Sequence, residues 1–308
     1  MNKTLCVIAA HTSSDMHINA ACSNIKYLLE IADKVVIVNS KDFEVSDRLK
    51  EKITSTYPDV DIQYKYCHNY VNLCHGKWCH YLENFYNYDY EHVLLTNDSF
   101  LVINSLKPFK DLHSSKEYEM TGLVSSREGR WHCQDWMRLY RNSSIKTLTS
   151  FYQECAAKYN HFKLVSEVDN VRRNHHYSWC VRAEIDSTQL FSPQACLYTL
   201  PLGYKSNIHF DNEMLEEYIV NKKYPVVKLK KLNYTIYDED YSKELPDDFD
   251  TQQYKFMNPD LQFNNKTHLE QHFMNHGCKE GRLYKCNQKV VIPNYIKQAV
   301  KKELLDYE

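Results

Sequence analysis

The sequence predicts an α/β protein: a Rossmann-type, mostly parallel sheet with helices on both faces, followed by a small helical C-terminal module. Three observations lead there. Short Val/Ile/Leu-rich runs recur through the first hundred residues, as strands buried on both faces require. Stripes of apolar residues at three- and four-residue spacing separate those runs, the period of helices packed over a sheet. An acidic, proline-containing stretch over residues 236–250 then breaks the pattern, and a shorter helical sequence follows it.

In chain order, residues 5–10 read as the first strand, and Ile18, Ala21, Cys22, Ile25, Leu28 and Leu29 as a helical stripe. Residues 35–38 make a second buried strand that ends on Asn39-Ser40. A short helix is expected around 46–53, a third strand over 62–66, and a helix carrying Trp78, Tyr81, Leu82 and Phe85. Residues 93–96 form a strand that stops on Asn97-Asp98-Ser99. Right-handed crossovers assemble such units into one parallel layer. Further on, 120–125 and 131–140 read as two strands, and Ser143 or Ser144 as the cap of a helix running to about residue 159. The polar segment 165–191, rich in His and Arg, reads as helix and loop over the sheet. Residues 212–221 make an amphipathic helix stopped near Tyr224-Pro225, because the residue before proline resists the helical conformation. Residues 226–232 look strand-like. The resulting division is a main domain over 1–235, a linker over 236–250 and a C-terminal module over 251–308. In that module Thr267-His268-Leu269-Glu270 has capping-box spacing for a helix ending at Gly277, and 295–308 form a charged terminal helix.

Composition excludes several classes of function. A formal net charge of −2 gives no electrostatic case for nucleic acid or an anionic membrane. No apolar run approaches the roughly 20 residues of a membrane span. The short N-terminal apolar run ends in His11-Thr12-Ser13 without a small-x-small cleavage site, which reads as a buried strand rather than a signal peptide. The 11 cysteines are odd in number and scattered, so free thiols and a cytoplasmic location are expected, in a host's cytoplasm if the chain is viral. Cys67, Cys74, Cys79 and His80 lack the paired spacing of a zinc site. With only 6 glycines, neither G-x-G-x-x-G nor a P-loop occurs, so a bound nucleotide needs another kind of site.

The strand ending on Asn97-Asp98-Ser99 carries the most information. It puts a carboxylate at the carboxyl end of a buried strand, where open α/β sheets bind ligands. The run Tyr90-Glu91-His92-Val93-Leu94-Leu95-Thr96-Asn97-Asp98-Ser99 resembles the "yd-x-vlllNDS" signature of the rhamnan synthesis protein F family of glycosyltransferases. Asn72 with Gly76-Lys77-Trp78 is similar to its "N-x-G-x-D-f-G-x-W" segment, Thr121-Gly122-Leu123 to "w-G-l-t", and His132-Cys133-Gln134 to "H-x-Q-S". Ala183-Glu184-Ile185-Asp186-Ser187 and Tyr224-Pro225-Val226-Val227-Lys228 resemble the later "y-E-i-x-l-S" and "P-f-x-K" elements, in order across residues 1–232. Separately, Asn258-Pro259-Asp260-Leu261, His272-Phe273-Met274-Asn275-His276-Gly277 and Glu280-Gly281-Arg282 look like the "NPDL…HYxxxGxxEGR" segment found beside bacterial and giant-virus glycosyltransferases. The chain departs from the first pattern in two places. Cys74 or a neighbour replaces the aspartate of "N-x-G-x-D", and Asp135 replaces the serine of "H-x-Q-S".

The resemblance implies a GT-A-like enzyme of polysaccharide synthesis. It would move a hexose or a deoxyhexose such as rhamnose from a UDP-, GDP- or dTDP-sugar to a glycan or glycoprotein acceptor. Asp98 is then the candidate ligand of Mn²⁺ or Mg²⁺, standing alone where GT-A enzymes carry an Asp-x-Asp pair. His11, Thr12, Asn39, Asn72, Lys77, Asn97, Ser99 and Gln134, with Asp98, are the candidate donor-binding residues. For an inverting transfer Asp135 is the leading base, Glu184 the runner-up, and His132 a positioning group for acceptor or diphosphate. Each has an ordinary alternative. Asp98 and Ser99 cap turns, strand-end polar residues form turns, Asp135 and Glu184 make structural ion pairs, and His132 packs as a hydrogen-bonded core residue. Trp78, Trp131, Trp136 and Trp179 offer sugar-stacking faces or, more ordinarily, core. The competing functions are a catalytically silent carbohydrate-binding or scaffold subunit and a metal-dependent hydrolase using His175-His176, which lacks H-E-x-x-H spacing.

Overall fold

Strand β1 (Thr4–Ala10) is buried along its whole length because side chains on both of its faces are apolar. Leu5, Val7 and Ala9 enter one core with Trp78, Cys79 and Leu82, while Cys6 and Ile8 are equally shut from water on the other side. The computed structural model describes residues 3–12, 14–41, 46–68, 74–127, 129–159, 182–204, 207–233, 237, 241–258, 261, 264–288 and 291–300. By contacts the chain divides into two units, 1–205 and 206–308.

In the first unit β1 pairs in parallel with β2 (Lys34–Ser40) and β4 (His92–Asn97), and β2 with β3 (Ile62–Cys67). Between them run α1 (Asp15–Leu28), α2 (Ser46–Thr56) and α3 (Cys74–Asn84). The strand order is β3-β2-β1-β4, so the first two crossovers step away from β1 and the third returns past it. Right-handed crossovers in opposite directions put α1 and α2 on one face and α3 on the other. The carboxyl ends of β1 and β4 therefore flank the switch point of the sheet, where open α/β folds take ligands. The α/β class and the mostly parallel layer predicted from the sequence are both present.

The remaining strands turn the sheet mixed. Short β5 (Phe100–Val102) and α4 (Lys107–Ser115) precede β6 (Met120–Ser126), β7 (His132–Cys133) and β8 (Met137–Arg141). Strand β8 runs antiparallel to both β4 and β6, and β9 (Gln194–Tyr198) lies parallel to β6. The single strand expected over 131–140 is two strands broken at Gln134-Asp135-Trp136. The break has a physical cause. The Arg138 guanidinium bonds the carbonyls of Cys133 and Gln134, and the Trp136 indole N–H donates to Gln134 Oε1 at 2.8 Å. Those bonds take up the Cys133 and Gln134 carbonyls, while the Gln134 N–H still donates to the Val124 carbonyl of β6 at 2.9 Å. Helix α5 (Asn142–Tyr159) begins directly at the end of β8, without the separate serine cap expected at Ser143 or Ser144. Of the segment 165–191, residues 165–181 lie outside the described residues, and Arg182–Asp186 form a π-helical turn.

The second unit holds α6 (Asn212–Val220), α7 (Thr251–Met257), α8 (Lys266–His272) and α9 (Asn294–Val300). Asp211, Asp250 and Asn265 cap the first three through side-chain oxygens, which satisfies N–H groups that a helix start leaves open. The cap of α8 is thus Asn265, two residues before the capping box read from the sequence. Only Val226–Lys228 of the expected strand is extended, and Leu229–Asn233 tightens into a 3₁₀ turn. Tyr254, Leu261, Leu269, Phe273 and Tyr284 form this unit's core, joined by Tyr237, Tyr241, Leu245 and Phe249 from the acidic stretch. Gly277 does not end the helix. Its φ is −60°, and its missing side chain makes room for the Tyr254 hydroxyl. The left-handed stop is Gly281, at φ 78°. Residues 301–308 of the expected terminal helix lie outside the described residues.

Candidate functional site

The strand ends meet at Asp98. Its Oδ2 accepts the backbone N–H of His11 at 2.7 Å and of Thr12 at 2.9 Å, so one carboxylate oxygen ties the end of β4 to the end of β1. Asp98 is buried, and Thr12 adopts φ 38°, a left-handed conformation that a β-branched residue reaches at a cost. The clamp holds that strained residue in place. Thr12 Oγ1 donates to Asn39 Oδ1 at 3.1 Å, and Ser40 N–H donates to the same oxygen at 2.9 Å, which joins β2 to the clamp.

The N-terminus of α3 closes the other side. Lys77, fully buried, places Nζ 2.6 Å from His11 Nδ1. An ammonium can only donate, so Nδ1 accepts and His11 carries its proton on Nε2, which faces Cys74 Sγ at 3.5 Å. Asn97 Nδ2 donates to the same sulfur at 3.3 Å, while Asn97 Oδ1 accepts from Ser99 N–H and Oγ at 3.0 and 2.7 Å. The Cys74 thiol is pushed up to about 12, by burial first and then by Asp135, against Lys77. Asp98 adds to the upward push, so one sulfur feels both aspartates and the lysine.

Two carboxylates with buried histidine partners flank this corner. Asp135 Oδ2 lies 3.0 Å from His75 Nε2, with the aspartate side chain 21% exposed and the histidine 4%. His75 is held edge-on between Trp78 and Tyr152, with ring centroids at 5.2 and 5.4 Å. Glu184 Oε1 stands 3.5 Å from His132 Nε2, and His132 Nδ1 meets the Arg130 carbonyl at 2.8 Å. Burial works to lower the His132 pKa, yet the Glu184 carboxylate and the Arg130 carbonyl outweigh it and hold it above the usual histidine value. Arg138 sits beneath both. It is buried, donates to Ser187 Oγ at 2.7 Å and to the Glu184 carbonyl at 2.6 Å, and also takes the Cys133 and Gln134 carbonyls.

Of the residues singled out in the sequence, His11, Thr12, Asn39, Lys77, Asn97, Asp98 and Ser99 come together at the switch point. Gln134 joins the Asp135 turn, and Asn72 lies outside the described residues. Thr12, Asn39, Lys77 and Gln134 are buried against protein partners, whereas His11, Ser99, Asp135 and Glu184 keep partial exposure. Trp78 and Trp136 are core, Trp131 is half-buried, and Trp179, His175 and His176 are not described. Sequence reasoning missed His75 and Arg138. An arginine inside the apolar run Met137-Arg138-Leu139-Tyr140 was a visible signal of a buried cation; nothing local tied His75 to Asp135. Among the described residues no group of three or more His, Cys, Asp or Glu side chains is placed to hold a metal ion, and no helix is long and apolar enough to cross a membrane.

No family model matches the chain, and no curated protein matches it. Among solved structures it is similar to galactosyltransferase LgtC in complex with donor and acceptor sugar analogs, at 10% identity over 68% of this chain and 74% of that one, TM-score 0.40. It is also similar to 4-diphosphocytidyl-2C-methyl-D-erythritol synthase from Anaerococcus prevotii, at 12% identity over 70% of this chain and 96% of that one, TM-score 0.39. Likenesses of this size carry no chemistry. That rests on the residues themselves.

Proposed function

We propose that the chain is a glycosyltransferase that moves a sugar from a nucleotide-sugar donor to a hydroxyl of a glycan or glycoprotein acceptor. The observation that carries the reading is the meeting of Asp98, His11, Lys77 and Asn97 at the β1–β4 switch point, with partly exposed Asp135 acting electrostatically on the Cys74 sulfur that His11 and Asn97 touch. The motif resemblance supports it. In an inverting transfer the acceptor oxygen attacks the anomeric carbon, the bond to the diphosphate breaks, and Asp135 takes the hydroxyl proton. His75 keeps that carboxylate oriented, and Glu184 is the alternative base. Lys77 and the His11 N–H supply positive potential where the diphosphate leaves.

The donor set fits a divalent metal poorly. Asp98 Oδ2 already accepts two backbone N–H groups, and no second carboxylate stands beside it in the chain. A second reading, a non-catalytic carbohydrate-binding subunit, draws on the same clamp, because a carboxylate spent on backbone N–H groups serves architecture first.

Isothermal titration with UDP-, GDP- and dTDP-sugars, with and without Mn²⁺, tests the donor site. Absence of binding by every donor in both conditions sinks the enzyme reading. With a bound donor, Asp135→Asn is expected to keep affinity and to lose turnover by roughly 10²–10⁴-fold, the usual contribution of a general base. Retained turnover in that variant moves the role to Glu184. Binding without turnover in the wild-type protein favours the silent subunit.

A further inference from the structure

The sheet carries a thiol pair that sugar transfer does not use. Gly122 on β6 has no side chain, and Cys133 of β7 fills the space: its Sγ lies 2.6 Å from where a Gly122 Cβ would stand. Across the parallel β6–β9 ladder, the register partner of Gly122 is Cys196. Partners on adjacent strands point to the same face about 4.8 Å apart. The Cys133 sulfur thus takes the neighbour's place beside the Cys196 side chain. It also reaches the carbonyl of Ala195, the residue before Cys196, at 3.6 Å. Cys133 is fully buried, whereas Cys196 is half-buried on a strand with no fully buried residue. The neighbouring Cys196 thiol, ahead of opposing burial, holds Cys133 below the ordinary thiol range, while burial and then Cys133 push the Cys196 thiol well above it.

We propose that Cys133 and Cys196 are a redox-active dithiol, closed to an intramolecular disulfide by a low-molecular-weight disulfide of the oxidised glutathione class. Cys196, the accessible member, loses its proton and its sulfur attacks one sulfur of the small disulfide. That S–S bond breaks, a mixed disulfide forms on Cys196, and one small thiol leaves with the proton. The Cys133 thiol then gives up its proton and its sulfur attacks the Cys196 sulfur; the mixed bond breaks, and the second small thiol leaves carrying that proton. Two protein thiols are oxidised, and one small disulfide is reduced to two thiols. The new bond pins β9 to β7 across β6, one residue from Gln134 and two from Asp135.

The test uses the native full-length protein, held at graded ratios of oxidised to reduced glutathione, with free thiols blocked and unreduced peptides mapped by mass. A Cys133–Cys196 linked peptide is expected at ratios that leave the other cysteines reduced. The Cys196→Ser variant is expected to show neither the link nor an adduct on Cys133. In Cys133→Ser the glutathione adduct is expected to persist on Cys196. Cysteines 133 and 196 both remaining free, a lasting adduct on wild-type Cys196, or a link that forms only after unfolding in urea overturns the proposal. The wild-type map decides even if a serine in the core prevents Cys133→Ser from folding, and it needs no sugar-transfer assay.

Discussion

Removing the Asp98 carboxylate separates its architectural role from any ligand role. In Asp98→Ala, the His11 and Thr12 N–H groups lose a buried charged acceptor, at 2.7 and 2.9 Å in the native protein. Hydrogen bonds to a charged group contribute about 1.5–3 kcal/mol each, so the gross loss is about 3–6 kcal/mol. Relaxation of Thr12 from φ 38° returns about 1–2 kcal/mol of strain. A net destabilisation of about 1–5 kcal/mol follows, a large fraction of the about 5–15 kcal/mol that holds a domain together. Asp98→Asn keeps one acceptor oxygen and loses only the charge, so it is expected to cost about half as much. Urea unfolding followed by tryptophan fluorescence measures both, with Trp78 and Trp136 in the core as reporters. An Asp98→Ala midpoint within about 0.5 kcal/mol of wild type would refute the clamp. Lost donor affinity in that same protein would make Asp98 a ligand group and not a brace.

Two further predictions concern stability. His113 is buried against His92 and Thr121, at 3.2 and 2.8 Å, and burial, then His92 and Arg141, lowers its pKa to about 3. It is therefore neutral in the folded chain but takes a proton near pH 6.5 in the unfolded one; its contribution is complete above pH 6.5 and is lost as pH falls toward 3. Between pH 7 and about pH 4.5 this removes about 2–3 kcal/mol, and urea midpoints at the two pH values should flatten in His113→Gln. Gly122→Ala drives a methyl into both Cβ and Sγ of Cys133 and is expected to cost about 1–3 kcal/mol. Trimming the neighbour in Cys133→Ala should not rescue it in thermal melts, because the clash with Cβ remains.

Elements whose signal is local were legible in the sequence. The strands of the parallel half and helices α1 to α3 follow from apolar runs and helical stripes, and the strand end at Asn97-Asp98-Ser99 marked the crevice. Where tertiary bonds override local pattern, the reading failed. Residues 131–140 look like one apolar-rich strand, yet the Cys133 and Gln134 carbonyls go to the Arg138 guanidinium at the turn that carries Asp135. Gly277 looked like a helix stop because glycine usually is one, but its small size serves the Tyr254 hydroxyl. The His75–Asp135 pair joins residues 60 apart in sequence, and such a contact has no local signature.

The buried Arg138 has a consequence for any attempt to tell the two candidate bases apart. One guanidinium bonds the Cys133 and Gln134 carbonyls on the Asp135 side, and the Glu184 carbonyl and the Ser187 hydroxyl on the Glu184 side. Asp135 and Glu184 thus hang from a common cation, and disturbing either turn frees donors that the other must absorb. Their effects will not add. Comparing Asp135→Asn with Glu184→Gln one at a time would credit each with part of the other's work, whereas the double variant reveals the shared share directly.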